Sequence, residues 1–276
     1  MAQDYLGFLG PSGTFSEEVA LIYCRDQNRE MKAYRTIPSI IDAVNNGHIN
    51  EGMVPFVNSL EGGVAATHYS LIKQESAQII KELSLPITHC LVSSEALELE
   101  GIKSIMSHPQ AIQQCLHFIQ EYLPTADIIA TSSTADAALQ TRLNKYSAAI
   151  ASAKAADRYD LKIIRKGIED DKNNRTRFVV LSREKQKPSG NDKTSLVISI
   201  SDQPGSLFRV LGCFAKRNNN LTRIESRPSR RKNDEWIFFI DCEGHYDDPE
   251  KEELWDEIKQ LTRYFKNLGS YPVGRD

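Results

Sequence analysis

The chain has 276 residues, with 34 Lys and Arg against 37 Asp and Glu for a formal net charge of −3, and 40% hydrophobic and 26% charged side chains. At roughly 150 residues per domain this predicts about two domains. The balanced charge argues against a polyanion binder, and no apolar run approaches the ~20 residues that span a bilayer. The amino terminus, MAQDYLGFLGPSG, lacks the basic and long apolar stretches of a secretory signal, so a cytosolic protein is expected. Five scattered cysteines (Cys24, Cys90, Cys115, Cys213, Cys242) include no C-x-x-C pair and suggest small buried hydrophobes rather than a disulfide framework or zinc site.

In chain order, a strand at 5–9 and a helix from Phe15 lead to a strand at 52–56, a helix after Gly62 and a strand at 87–92. The rhythm continues with strand 104–106, helix 108–122, strand 128–130, a helix from Thr134, strand 148–150, a further helix and strand 178–181. Such alternation predicts a mostly parallel α/β system, and its length predicts two lobes with a ligand-sized cleft between them. The polar stretch 182–192 (SREKQKPSGND) reads as a linker that separates residues 1–185 from residues 193–276. Beyond it come strand 196–201, helix 205–217, strands 221–227 and 235–242, helix 249–265 and a short tail at 270–273. Leu207, Val210, Leu211 and Phe214 in one helix, and Leu254, Ile258, Leu261 and Phe265 in the other, repeat at helical spacing. Both helices then cover one face of a ferredoxin-like βαββαβ sandwich.

Several stretches carry groups suited to chemistry. Thr14-Phe15-Ser16-Glu17 and Ser107-His108-Pro109-Gln110 have the pattern of a capped helix start, and Ser133-Thr134-Ala135-Asp136 a looser one. Three such ends around a cleft would hold carboxylate or phosphate, although caps also serve as plain helix punctuation. Gly10-Pro11-Ser12-Gly13-Thr14 has neither the P-loop lysine nor dinucleotide spacing. His108 alone among six histidines sits at an expected helix start, where proton transfer and capping are both open to it; no metal-ligand spacing is present. Asn58, Ser59 and Glu61, followed by Gly62-Gly63, suit either a ligand loop or a turn. Thr176-Arg177-Phe178 places a hydroxyl and a guanidinium at the entry to an apolar strand, where Arg177 either grips a carboxylate or is simply solvated.

Taken together, these stretches resemble the prephenate dehydratase family over essentially the whole chain. The run Tyr159-x-Leu161-x2-Ile164-x5-Asp170-x5-Thr176-Arg177-Phe178-Val179-x-Leu181 is similar to the signature around that family's Thr-Arg-Phe motif. Leu221-Thr222-Arg223-Ile224-Glu225-Ser226-Arg227-Pro228 is similar to its regulatory Glu-Ser-Arg-Pro motif, and the blocks at Gly10, Ser107 and Ser133 follow in the family's order. The chain departs at Val57, where Glu is common, at Gly63, and at Gly205-Ser206-Leu207 in place of Gly-Ala-Leu.

The resemblance implies a two-lobed fold similar to periplasmic binding proteins, followed by an ACT domain. It implies conversion of prephenate to phenylpyruvate, water and carbon dioxide without cofactor or metal, because aromatisation supplies the driving force. Thr176 is then the catalytic hydroxyl, with Arg177 on a carboxylate or orienting the loop and Phe178 as strand anchor. Thr14, Ser16, Asn58, Ser59, Glu61, Ser107, His108, Gln110, Ser133 and Thr134 become candidate substrate contacts. Asp202, Gly205, Ser206, Leu207, Asn220, Leu221, Thr222, Glu225, Ser226 and Arg227 become candidate contacts for L-phenylalanine as allosteric inhibitor, in a homodimer or homotetramer. A monofunctional enzyme without a chorismate mutase segment is expected. Arogenate as substrate, or a non-catalytic binder of the same fold, are the alternatives; a nucleic-acid role for Arg227, Arg230, Arg231 and Lys232 is disfavoured by the acids Asp234 and Glu235 that follow.

Overall fold

The computed structural model describes residues 4–27, 29–229 and 236–274. The first lobe contains β1 (Tyr5–Leu9), α1 (Phe15–Cys24), β2 (Glu30–Tyr34), α2 (Ile37–Asn45), β3 (Glu51–Asn58), β4 (Gly62–Gly63), α3 (Ala65–Lys73) and β5 (Gln78–Pro86). The chain then crosses into a second lobe of β6 (Cys90–Ser93), β7 (Ser104–Ser107), α4 (Pro109–Gln113), α5 (Leu116–Tyr122), β8 (Asp127–Ala130), α6 (Thr134–Thr141), β9 (Ser147–Ala151), α7 (Ala153–Arg158) and β10 (Lys162–Lys166). It crosses back through residues 167–174, and β11 (Arg175–Ser182) completes the first sheet in the order β2-β1-β3-β11-β5.

This double crossing corrects the mostly parallel expectation. β1 is parallel to β2 and β3, but the returning β11 is antiparallel to both β3 and β5. The second sheet, β10-β6-β9-β7-β8, is likewise mixed, because β6 runs antiparallel to both its neighbours, β9 and β10. β2, β5 and β10 escaped the sequence reading: β2 and β10 contain no fully buried residue, so they lack an apolar face, and β5 interleaves charge with apolar residues. The expected helix 108–122 breaks into two, and residues 87–89 form the crossing rather than strand.

The third sheet comprises β12 (Asp192–Ser199), α8 (Ser206–Lys216), β13 (Leu221–Pro228), β14 (Trp236–Glu243), α9 (Glu252–Leu261) and β15 (Tyr264–Pro272), in strand order β13-β14-β12-β15. Phe265 belongs to β15 and not to the preceding helix; the helix ends at Leu261, and the strand is much longer than the expected tail. Residues 230–232, 234 and 235, in the basic stretch and at the expected strand start, lie outside the described residues.

One face of this sheet is covered by α8 and α9 through Leu196, Phe214, Trp255 and Ile258. The other face packs on the first lobe, where Val197, Phe239, Leu268 and Tyr271 share one core with Phe56, Leu71, Ile79 and Val179. Gly269 shows how close the approach is: an added Cβ would lie 2.2 Å from the Ile79 carbonyl oxygen.

His68 is sealed in this interface, stacked on Phe239 at 4.1 Å and edge-on to Phe56 at 4.7 Å between centroids. Its Nε2 lies 3.4 Å from Arg223 Nη2. A guanidinium only donates, so Nε2 accepts and the ring is neutral. Burial first, and then Arg223, Arg227 and Arg177, push its pKa from 6.5 down to about 2. Below pH 6.5 the unfolded chain binds a proton that the folded chain refuses. Stability is therefore expected to fall with pH from 6.5 downward, by up to about 1.4 kcal/mol per unit for this group. Urea midpoints measured between pH 7.5 and 5 should decline, and less steeply in His68→Gln; equal slopes would count against this assignment.

Candidate active site

Thr176 is buried to 8% exposure near the start of β11, directly opposite Asn58 at the end of β3. Side chains alternate along a strand, so Thr176 and Phe178 line the inter-lobe cleft. The cleft, of about 570 Å³, is of ordinary size for a small-molecule site.

The Asn58 side chain is oriented without ambiguity. Its Oδ1 accepts the backbone N–H groups of Leu60 and Glu61 at 3.0 and 3.1 Å. Its Nδ2 must then donate, and does so to Thr176 Oγ1 at 3.0 Å and Asn174 Oδ1 at 2.8 Å. Because Thr176 Oγ1 receives that hydrogen bond, its own O–H is left to donate into the cleft. The network runs on: Asn174 donates to Gln114 Oε1 at 3.0 Å, and His89 Nε2 lies 3.1 Å from the same oxygen. Gln114 belongs to the second lobe, so the site is stitched across both.

Three helix starts meet the cleft. Thr14 caps α1, accepting from Glu17 N at 3.3 Å, and Ser133 caps α6, accepting from Asp136 N at 3.0 Å. Gly13, at φ 89°, makes the turn into α1; Tyr159 and Ser152 of the second lobe bond the carbonyls of Ser12 and Gly13 at 2.8 and 3.1 Å. The glycine loop thus serves as an inter-lobe contact. The third start is capped by His108, whose Nδ1 accepts from Gln110 N at 3.3 Å. Ser107 is not that cap: it is fully buried on β7 and donates to the Ile150 carbonyl at 2.7 Å.

Of the candidate residues, Thr14, Ser16, Asn58, His108, Gln110, Ser133, Thr134, Thr176 and Phe178 line the cleft. Ser59 is instead exposed at the β3–β4 turn, bridging Arg175 N and Asn173 O, and Glu61 accepts from Gln114 Nε2 at 2.9 Å outside the cleft. Arg177 needs the largest correction. It points through the sheet to the opposite side, where it pairs with Asp241 at 2.7 Å and Glu82 at 3.5 Å. It therefore cannot hold a carboxylate in the cleft. Val57, opposite Arg177, packs into the core on that same side, so the acid absent at this position is not absent from the cleft.

Arg35, His89, Gln114 and Ser132 also line the cleft and escaped the sequence reading. Arg35 follows β2, the strand that was not recognised; Gln114 falls one turn beyond Gln110 and was open to a helical-spacing argument. Burial pushes the His89 pKa down from its ordinary value, with Gln114 and Glu169 acting in the opposite direction. Among the described residues Arg35 is the one Lys or Arg in the lining, it has no acidic partner, and no Asp or Glu lines the cleft. Helix ends and one guanidinium around an acid-free, partly apolar cavity suit a small anion.

In the C-terminal sheet, Asp202, Gly205, Ser206 and Leu207 come together with Phe208, Trp236 and Phe238 around a pocket of about 320 Å³. Gly205 has φ 79°, a left-handed turn into α8. The strand residues do not join them there. Glu225 accepts from Gly63 N at 3.1 Å and Arg227 donates to Gly63 O, so this pair docks on β4 of the first lobe. Asn220 bonds Glu243 at 2.9 Å, Leu221 packs under the helices, and Thr222 and Ser226 are exposed on an edge strand.

A family model for prephenate dehydratase matches residues 6–186, and one for the ACT domain matches residues 194–253. The chain belongs to the prephenate dehydratase family. A prephenate dehydratase of Bacillus subtilis is 36% identical over 279 residues, covering 96% of this chain and 98% of that one. The structure of a prephenate dehydratase from Arthrobacter aurescens in complex with L-Phe superposes with a TM-score of 0.88 at 34% identity, covering 97% and 90% of the two chains. GqqA, described as a novel type of quorum-quenching acylase, superposes at 0.83 with 30% identity over 97% of each chain.

Proposed function

We propose that the inter-lobe cleft carries out the decarboxylating dehydration of prephenate to phenylpyruvate. The observation that carries this reading is the Thr176 hydroxyl, whose oxygen is engaged by Asn58 and whose hydrogen is left for the cleft. In the reaction the bond to the ring carboxylate breaks, its electron pair enters the ring, and the ring hydroxyl departs as the ring becomes aromatic. Charge grows on the departing oxygen, and a preorganised O–H donor stabilises it. No stronger acid is required, because aromatisation pulls the same bonds apart. The helix starts at Thr14 and Ser133 and the Arg35 guanidinium offer sites for the two carboxylates.

The acid-free lining favours prephenate over arogenate, whose ammonium group would find no carboxylate among the described lining residues. Supplying each compound in separate assays tests this, with phenylpyruvate from prephenate as the expected product. Faster turnover of arogenate would reassign the substrate. Inertness toward both, with hydrolysis of an N-acyl substrate, would replace the dehydratase reading. Arg35→Ala is expected to raise KM for prephenate about tenfold, the loss of one charge-assisted contact, with a smaller change in kcat; an unchanged KM would remove Arg35 from substrate binding.

The same reading assigns L-phenylalanine to the pocket at Asp202, Gly205, Ser206 and Leu207, as feedback inhibitor. The complex of the Arthrobacter aurescens relative with L-Phe supports this. Phe208 at 77% and Trp236 at 47% exposure leave one side of that pocket open, as suits completion by a second copy in a homodimer. Repeating the prephenate assay with L-Phe should show inhibition, and absence of any effect on rate or binding would remove the claim.

A further inference from the structure

We infer that Asp241, on the far side of the first sheet from the cleft, is a positioning residue for the dehydration. It holds the strand pair that sets the Thr176–Asn58 hydrogen bond. This rests on the dehydratase reading of Thr176.

The strand pairing is irregular at the site. Thr176 faces Asn58 and Arg177 faces Val57, but Phe178 faces Pro55, so Phe56 is the extra residue of a bulge. A bulge re-aims the side chains beside it and leaves its extra residue outside the ladder. Phe56 is held instead by its carbonyl, which accepts from Val64 N at 2.8 Å, by the core and His68 around its ring, and by two guanidiniums: those of Arg177 and Arg223 lie 4.8 and 5.2 Å from its ring centroid. Cations at such distances over a desolvated ring are attracted to its face.

Both cations converge on Asp241. Its Oδ2 is 2.7 Å from Arg177 Nη2 and 3.9 Å from Arg223 Nη1. Its Oδ1 accepts from Ser195 Oγ at 2.7 Å, and the carboxylate is 1% exposed. One buried carboxylate from β14 thus fixes the residue next to Thr176 and, through Arg223, the other side of the bulge. The grip reaches Asn58 a second way. Arg223 donates to Glu225, Glu225 holds Gly63 N at 3.1 Å, and neighbouring Gly62 pairs with Asn58. Gly63 is tight enough that an added Cβ would lie 2.1 Å from the His68 ring. The catalytic hydroxyl and the amide that orients it are therefore clamped from behind by the C-terminal sheet.

The test is a double-mutant cycle of Asp241→Asn with Thr176→Ala, measured with prephenate. Asp241→Asn alone should lower kcat roughly 10- to 100-fold, the scale of a sub-ångström misplacement, with KM within threefold, since Asp241 touches nothing in the cleft. In the Thr176→Ala background the same substitution should cost less than threefold. If Asp241→Asn does not fold, Arg223→Lys takes its place in the cycle with the same expected pattern. A kcat within twofold of wild type, or a loss that persists undiminished without the Thr176 hydroxyl, overturns the inference. Full turnover by Thr176→Ala alone removes the dehydratase reading beneath it.

Discussion

Thr176→Ala is expected to fold normally and to lose roughly 10²-fold or more in kcat with prephenate, with little change in KM. Folding should survive because the hydroxyl makes one hydrogen bond in the described structure, accepted from Asn58 at 3.0 Å, and Asn58 keeps its bond to Asn174 at 2.8 Å. Turnover should not, because in the proposed reaction that hydroxyl is the donor whose value appears only as the leaving oxygen becomes negative. Thr176→Ser retains the donor and is expected to recover much of the rate. Near wild-type phenylpyruvate production by the alanine variant would refute the role.

Arg177→Ala is expected to damage the whole protein rather than substrate binding. The guanidinium sits between Asp241 and Glu82, which are 1% and 6% exposed. Lys193, 2.7 Å from Glu82, and Arg223, 3.9 Å from Asp241, compensate in part. Removing one member of a buried ion cluster leaves charge without a partner, typically at about 3–5 kcal/mol. Equilibrium denaturation should show a loss of this order. A variant with wild-type stability and only a raised KM would instead restore Arg177 to the substrate site.

The same residue shows how far the motifs could be read. A hydroxyl beside a guanidinium looks like two catalytic groups side by side, yet strand alternation sends the two side chains to opposite faces. Thr176 then serves the cleft and Arg177 the packing of the C-terminal sheet. Glu225 and Arg227 behave alike: their motif was legible, but their partner, the backbone of Gly63, lies 162 and 164 residues away in sequence. Arg35 could not be found because the strand before it, Glu30–Tyr34, has no residue fully buried to mark it. Thr14 and Ser133 were found because a cap is a local device, set by residues three positions apart.

Composition, periodicity and short motifs by themselves determined the α/β class, the βαββαβ order of the C-terminal region, the helix starts at Thr14 and Ser133 and the family, since each depends on residues near one another in the chain. Tertiary structure alone decided the mixed strand directions, the face each side chain presents, and the burial of the C-terminal sheet on both sides. Those depend on where distant strands dock. Leu196, Val197, Ile198 and Ile200 make a nearly unbroken apolar run; it served equally well as a strand with one covered face, until Val197 met the first lobe and Leu196 and Ile198 met the helices.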